Sequence, residues 1–329
     1  MGIGGLRKGV GDTKAVEFLQ AWNPRPYGTV ITQLVRAGVT LVANPGLAGV
    51  QCGDTMEPRE QQRKADVLRK LHQGPRILVL PNAWDALGAR VFESEGFAAI
   101  GTTSAGVSYS LGYADGENVP REEMLAATAR IARCVAVPVT ADIEAGFGES
   151  LEELRATIRG VVGAGAVGIN LEDRVGTKLV DIGTQLERIR AVRETAASLG
   201  VPLVLNARTD VYALLKDITL TMERLNAYRD AGADCLFAPG VVDRETIAAL
   251  VREVRGPLNV LAGRGTPPIG ELESLGVARV SVGSGPCRAT AAFTQRIARE
   301  LRSAGTYESF TENTIAYAEM NRLMGEGRA

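Results

Sequence analysis

From about residue 75 onward one hydrophobic rhythm repeats along the chain. An amphipathic stretch closes on glycine, and a short apolar run follows within a few residues. The echoes are Glu95-Gly96-Phe97-Ala98-Ala99-Ile100, Ala164-Gly165-Ala166-Val167-Gly168-Ile169, Ala231-Gly232-Ala233-Asp234-Cys235-Leu236 and Leu275-Gly276-Val277-Ala278-Arg279-Val280. Glycine supplies the left-handed residue that ends a helix, and a near-continuous apolar run suits a parallel strand buried on both faces. Eight strands are predicted: Ile77–Leu80, Ala98–Thr102, Val137–Asp142, Val167–Glu172, Leu203–Arg208, Asp234–Ala238, Leu258–Ala262 and Arg279–Gly283. Helical patterns precede and separate them, among them Arg59–Gln73, Arg121–Cys134, Ser150–Val162, Gly183–Ser198, Leu220–Asp230 and Arg244–Val254. Eight alternations over roughly 220 residues predict an α/β fold, the (β/α)8 TIM barrel. No GxGxxG follows the first strand, which argues against an open dinucleotide-binding sheet.

Pro286–Arg302 reads as the last barrel helix. A further helix over Glu312–Met324, apolar at Ile315, Tyr317, Ala318, Met320 and Leu323, is surplus to a barrel and suits packing on a neighbouring subunit. The expected division is a catalytic barrel over 56–305 and a C-terminal helical segment over 306–329. Residues 1–55 are glycine-rich and lack periodicity. They are expected to be a loosely ordered extension or a segment ahead of a biological start at Met56.

Composition narrows the function. With 45% hydrophobic and 23% charged residues and a formal net charge of −1, the chain has no excess of basic residues for nucleic acid. Arg188, Arg190 and Arg193 are expected on a solvated helix face. The nearest candidate for a bilayer span, Thr29–Val50, is interrupted by Gln33, Arg36, Asn44 and Pro45. The four cysteines form no CxxC pair and predict reduced, buried thiols in a cytoplasmic protein. His72 is the only histidine, expected as a cation at the end of the first helix. Its solitude removes Ser-His-Asp triads, Cys-His dyads and multi-histidine metal sites.

Catalysis must then run on carboxylates, Arg, Lys, hydroxyls and a metal. In a barrel these groups gather at the C-terminal ends of strands. Those ends carry Pro81-Asn82-Ala83-Trp84-Asp85, Gly101-Thr102-Thr103-Ser104-Ala105-Gly106, Asp142-Ile143-Glu144, Asn170-Leu171-Glu172-Asp173 and Asn206-Ala207-Arg208-Thr209-Asp210. Asp142 and Glu144, two apart on a strand, are expected on one side. With Glu172 they form a hard oxygen cluster suited to Mg2+, with Mn2+ as the other candidate, leaving Arg208 free to grip a substrate carboxylate. Trp84 and Phe147 are expected to line the pocket or the barrel top. Asp85 is either a helix-starting charge or catalytic, and Cys235 belongs to the core. The loops Gly263–Thr266 and Gly283–Pro286 are phosphate sites or simple tight turns.

These motifs carry a resemblance. PNAWDA (Pro81–Ala86), GTTSAG (Gly101–Gly106), LGYADGE (Leu111–Glu117), ADIEAGFG (Ala141–Gly148), INLED (Ile169–Asp173) and NARTD (Asn206–Asp210) stand in order. Over about Ala65–Tyr307 the sequence resembles the isocitrate lyase/phosphoenolpyruvate mutase superfamily. The resemblance implies magnesium held largely through water by Asp142, Glu144 and Glu172. It also implies a substrate carboxylate bound by Arg208, Ser104 and the backbone amides of Ala105 and Gly106, with Asn206 and Trp84 in the substrate pocket and Asp115 an active-site acid. It implies homodimers or homotetramers with a C-terminal helix exchanged between subunits.

One departure limits the chemistry. Isocitrate and methylisocitrate lyases carry KKCGH or KRCGH on a lid after the fourth strand, and its cysteine transfers the proton. Here the stretch is Thr177-Lys178-Leu179-Val180-Asp181-Ile182, which keeps Lys178 as a catalytic or lid-closing candidate but has no cysteine or histidine. The expected function is therefore a magnesium-dependent carbon–carbon lyase acting on a small 2-oxo-carboxylate through a metal-bound enolate. Decarboxylation of an oxaloacetate-like acid or cleavage of a substituted pyruvate fits best. The alternatives are phosphonopyruvate or carboxyphosphonoenolpyruvate-type P–C chemistry, then methylisocitrate cleavage, and a catalytically silent metabolite-binding barrel. A Schiff-base aldolase lacks its strand lysine, since only Lys178 and Lys216 follow the first helix.

Overall fold

In the computed structural model, which describes residues 57–312 and 314–325, the first predicted strand is β1 (Leu78–Leu80). Beyond Pro81 the same stretch of chain continues as a second short strand, β2 (Asn82–Ala83). Proline has no N–H to donate, so the strand changes partners there. The other sheet strands are β3 (Ile100–Thr102), β4 (Val139–Asp142), β5 (Gly168–Glu172), β8 (Val204–Arg208), β9 (Cys235–Phe237), β10 (Leu258–Leu261) and β11 (Arg279–Ser281). The sheet runs β1-β11-β10-β9-β8-β5-β4-β3-β2, and every pairing is parallel. Because β1 and β2 are one stretch of chain, the order closes on itself as the eight-stranded barrel the periodicity predicts. Asn82 seals the seam. Its Oδ1 accepts from Val282 N and Gly283 N, both at 2.9 Å, while its Nδ2 donates to Thr102 O at 2.8 Å.

Helix α1 (Pro58–Leu71) lies under the N-terminal ends of the strands, where Ala65 and Leu68 pack against Leu78, Leu80, Val167 and Val204. His72 closes this helix as expected, but not as a cation. It is buried, its Nδ1 lies 2.8 Å from Leu68 O, and burial with nearby Arg279 depresses its pKa to about 4. The outer helices α2 (Ala86–Ser94), α4 (Arg121–Cys134), α5 (Leu151–Gly163), α6 (Ile182–Ser198), α8 (Ile218–Asp230), α9 (Arg244–Glu253) and α10 (Ile269–Ser274) cover the sheet. Helix α5 starts on a capping box between Ser150 and Glu153. Outward residues such as Ile169, Leu171, Leu205 and Leu236 meet these helices in the main core. Two shorter helices, α3 (Ser104–Leu111) and α7 (Val211–Leu215), follow β3 and β8. The pair β6 (Arg174–Val175) and β7 (Lys178–Leu179) forms an antiparallel hairpin after β5.

Helix α11 (Gly285–Ser303) is the eighth barrel helix, yet Cys287 is the only buried residue among its nineteen. The predicted terminal helix begins later than expected, as α13 (Tyr317–Gly325), and a short α12 (Glu308–Thr311) precedes it. Helix α13 returns to its own chain, where Arg90 donates from Nε and Nη2 to Leu323 O at 2.9 and 2.8 Å. Of its expected apolar face only Leu323 is buried, and Tyr317 is 86% exposed. Among the described residues no helix is long and apolar enough to cross a membrane. The expected extension over 1–55 lies outside the described residues.

Candidate active site

A cavity of about 210 Å³ opens at the C-terminal mouth of the barrel. Alternation along the strands decides what lines it: Asn82 from β2, Thr140 and Asp142 from β4, Asn170 from β5, Arg208 from β8, and Arg279 and Ser281 from β11. Ser104, Ala105 and Asp115 complete the rim from the α3 side. The lumen is polar, which a purely structural barrel interior is not.

The GTTSAG motif is not a plain loop. Ser104, Ala105 and Gly106 form the first turn of α3, capped by Thr103, so its N-terminal amides face the mouth. Ser104 N donates to Asp142 Oδ2 at 3.0 Å, and Asn170 Nδ2 donates to Asp142 Oδ1 at 2.9 Å. Gly106 is required by close approach, because a Cβ there would sit 2.8 Å from Trp84 Cβ. Trp84 therefore backs this turn and does not line the cavity. Asp85 is the N-cap of α2, accepting from Gly88 N at 2.7 Å.

Glu144 departs from the expected strand geometry. Strand β4 ends at Asp142, and Glu144 follows with a left-handed backbone (φ 48°), as do Gly146 (φ 102°) and Phe147 (φ 56°). Non-glycine residues rarely adopt this region, so the loop holds strain at the site. The strand that would set their spacing ends at Asp142, yet the Glu144 carboxylate, buried and outside the cavity lining, stays within reach of the Asp142 and Asp115 charges. Its Oε2 accepts from Glu117 N at 2.9 Å, while Oε1 is buried without a partner. Arg188, expected on a solvated face, is buried and donates to Ala145 O. Phe147 packs on the core and does not line the cavity.

Arg208 is not free either. Its Nη1 lies 2.6 Å from Glu172 Oε2 and its Nη2 2.9 Å from Asp210 Oδ1, with the Phe237 ring centroid at 5.9 Å. Asp210 in turn is held by Asp173, which is fully buried. Asp173 accepts from Asp210 N, Thr209 Oγ1, Arg224 Nη1 and Tyr228 OH at 2.7 to 2.9 Å. Arg224 Nη1 also donates to Val180 O, tying the hairpin base to the same carboxylate.

The acids repel one another. Burial first, then Asp142, Asp115 and Glu172, pushes the Glu144 carboxyl up to about 8. Burial, with Asp210 and Asp142, outweighs Arg208 and pushes Glu172 up to about 8 as well. A cation among such groups reverses this balance. Among the described residues no three acid, imidazole or thiol groups converge tightly enough to ligate one ion directly. The orphaned Glu144 Oε1 and the mutual repulsion nonetheless fit a hydrated divalent cation, which keeps several waters between itself and the protein.

The structure thus brings Ser104, Ala105, Asp115, Asp142 and Arg208 to one cavity and sets Glu144 and Glu172 just behind it. Asn206 lies deeper, donating from Nδ2 to Asn170 Oδ1 at 2.8 Å. Lys178 is exposed on the hairpin, away from the cavity. Asp210 and Arg279 were missed by sequence reasoning. An arginine opening an otherwise apolar strand was the available signal for Arg279.

Comparison with known proteins identifies the family. The family model for phosphoenolpyruvate phosphomutase matches residues 68–302. The chain belongs to that family. It is 41% identical over 219 residues to an uncharacterized Mycobacterium tuberculosis protein, covering 65% of this chain and 80% of the relative. It is 29% identical to the 2,3-dimethylmalate lyase of Eubacterium barkeri, covering 78% and 93%. The structure of oxaloacetate acetylhydrolase with the product oxalate superposes with a TM-score of 0.73 at 28% identity, covering 80% and 94%. The protein is an enzyme of the isocitrate lyase/phosphoenolpyruvate mutase superfamily, whose members are lyases and mutases.

Proposed function

We propose that the enzyme is a magnesium-dependent lyase that breaks a carbon–carbon bond beside the oxo group of a small 2-oxo-carboxylate. The carrying observation is the single cavity where Asp142, Arg208, Asp115 and the first turn of α3 meet. The likeness to 2,3-dimethylmalate lyase and to oxaloacetate acetylhydrolase supports a small carboxylate.

The Ala105 amide in the first turn of α3 and the Ser104 hydroxyl bind the substrate carboxylate, the Ser104 and Gly106 amides being taken by Asp142 and Thr103. Asp142, held in place by Ser104 N and Asn170, would hold Mg2+ together with Glu144 and Glu172. When bound, the ion supplies positive charge beside the oxygen on which negative charge develops. Arg208, fixed between Glu172 and Asp210, presents its edge to the cavity as a further electrostatic support. Asp115, the exposed carboxylate at the mouth, takes or returns a proton at the substrate carbon. Val180 and Ile182 cannot transfer protons, which disfavours the cysteine-dependent lyase route.

Among the described residues three free thiols, at Cys134, Cys235 and Cys287, suit a reducing cytoplasm. The exposed α11 and the exposed apolar residues Leu301, Tyr307, Phe310, Ile315 and Tyr317 support a homo-oligomer built on this end of the chain. The deciding experiment is a turnover screen of oxaloacetate, its alkylated relatives, phosphonopyruvate and methylisocitrate, with magnesium and with chelator. Metal-dependent decay of a 2-oxo dicarboxylate supports the reading. Turnover of phosphonopyruvate alone assigns P–C chemistry, and no turnover with no metal-dependent oxalate binding leaves a silent barrel.

A further inference from the structure

Two turns with left-handed backbone meet beside the cavity, and each carries an acid of the proposed chemistry. One spans Asp115–Glu117, with Gly116 at φ 97° and Glu117 at φ 56°. The other spans Glu144–Phe147. They hold one another by exchanged hydrogen bonds. Glu117 N donates to Glu144 Oε2 at 2.9 Å, and Phe147 N donates to Glu117 Oε1 at 2.8 Å. Each glutamate side chain thus grips the main chain of the opposite turn.

Both turns have other anchors to the barrel. Val119 is buried in the core two residues after Glu117, and helix α4 begins at Arg121. On the other turn Ala145 O accepts from Arg188, and Gly146 O accepts from Thr157 Oγ1 at 2.8 Å. What the clasp adds is the placement of two carboxylates. Asp115 is exposed at the rim, and the bond from Asn118 Nδ2 to Asp115 O at 2.8 Å shapes its turn without tying it to the opposite one. Non-glycine residues at positive φ persist only where their surroundings fix them.

We propose that Glu117 is a positioning residue that locks the Asp115 turn to the Glu144 carboxylate, so that the rim acid and an acid of the ion site are set together. Held at Oε2, Glu144 keeps its buried and unpartnered Oε1 for the hydration shell of a cation. Order in the Asp115 turn and occupancy of the ion site are then coupled, and the coupling is reciprocal. It requires the reach of a glutamate to Phe147 N more than its charge. A residue kept only as counter-charge to the nearby buried Arg188 would need the charge and no such reach. The inference rests on the reading that Glu144 helps to hold magnesium.

Hydrogen–deuterium exchange and calorimetry on the full chain separate these roles. Exchange is followed over 113–119 and 143–149, without metal and with magnesium alone, and magnesium affinity is measured calorimetrically in the presence of oxalate. In the wild type, magnesium is expected to slow exchange over 113–119. Glu117→Gln keeps the reach but strips Arg188 of a charge. It should unfold at a lower temperature yet retain the magnesium response and nearly wild-type affinity. Glu117→Asp keeps the charge but falls one methylene short. Without metal it should exchange about tenfold faster in both segments. It should also lose the magnesium response and bind magnesium at least about tenfold more weakly. Glu117→Asp behaving as wild type overturns the proposal, as does the reverse order of the two variants. A wild type that binds magnesium without slowing exchange over 113–119 overturns it even if neither variant folds. A wild type that binds no magnesium counts against the proposed reaction. Metal-free exchange then decides the clasp, supported by faster exchange of both segments in Glu117→Asp and overturned by unchanged exchange.

Discussion

Arg208 Nη1 and Glu172 Oε2 meet at 2.6 Å across directly paired residues of β8 and β5. Both side chains are largely buried, so removing either strands its partner. Breaking such a pair typically costs about 3–5 kcal/mol. Arg208→Ala is therefore expected to lose turnover and stability together, as read by urea denaturation beside a kinetic assay. A variant as stable as the wild type would show that this pair does not hold the rim.

Asp142 behaves differently, because its replacement by asparagine keeps the shape. The new side chain can still accept from Ser104 N, and although Asn170 Nδ2 loses an acceptor and Arg208 and Arg279 lose an attractive charge, Glu144 and Glu172 lose a repulsive one. Asp142→Asn should cut turnover by about a hundredfold or more while leaving thermal unfolding nearly unchanged. Undiminished turnover removes Asp142 from the proposed chemistry.

His72 predicts an acid-side stability change. Its folded pKa is about 4, below the ordinary value of 6.5, so the unfolded chain binds a proton first as pH falls. Stability is full above pH 6.5 and is lost as pH drops toward 4, by roughly 3 kcal/mol from this group alone. His72→Gln, compared with wild type by denaturation at pH 7 and pH 4.5, should show a shallower decline. Identical slopes would mean the imidazole is protonated in the fold.

The Asp173 cluster predicts an ordering of two variants. Tyr228→Phe removes one donor of four and should cost about 1–2 kcal/mol. Arg224→Met removes the cation from a buried carboxylate and releases Val180 O, so its cost should be about 3 kcal/mol or more. Chemical denaturation of both variants checks the order, and the reverse order would mean that Tyr228, not Arg224, carries the cluster.

The barrel was legible because its signal is periodic. Gly96, Gly165, Gly232 and Gly276 each end a helix with positive φ, and the apolar runs after them became β3, β5, β9 and β11. Strand alternation also placed Asp142 and Arg208 toward the lumen. It does not extend to Glu144, because the strand stops two residues earlier and the backbone turns left-handed. It could not show that Arg208 is already paired, since Asp210 returns to it from outside the strand. Arg188 looked like surface because helix patterning does not report a strained loop packing over it. The start of the terminal helix at Tyr317 was hidden because Ile315 continues its apolar spacing ahead of the first helical residue.

The seam at Asn82 has a consequence for synthesis. Its side chain bonds to backbone 201 residues downstream, so the first strand has no final neighbour until the last one has been made. Contacts this distant in sequence form late, and earlier fragments carry two open sheet edges. Arg279 sits on that final strand. The ribosome therefore delivers the ring's closure and a buried charge of its lumen in the same few residues, and a chain cut short ahead of β11 cannot hold a finished pocket.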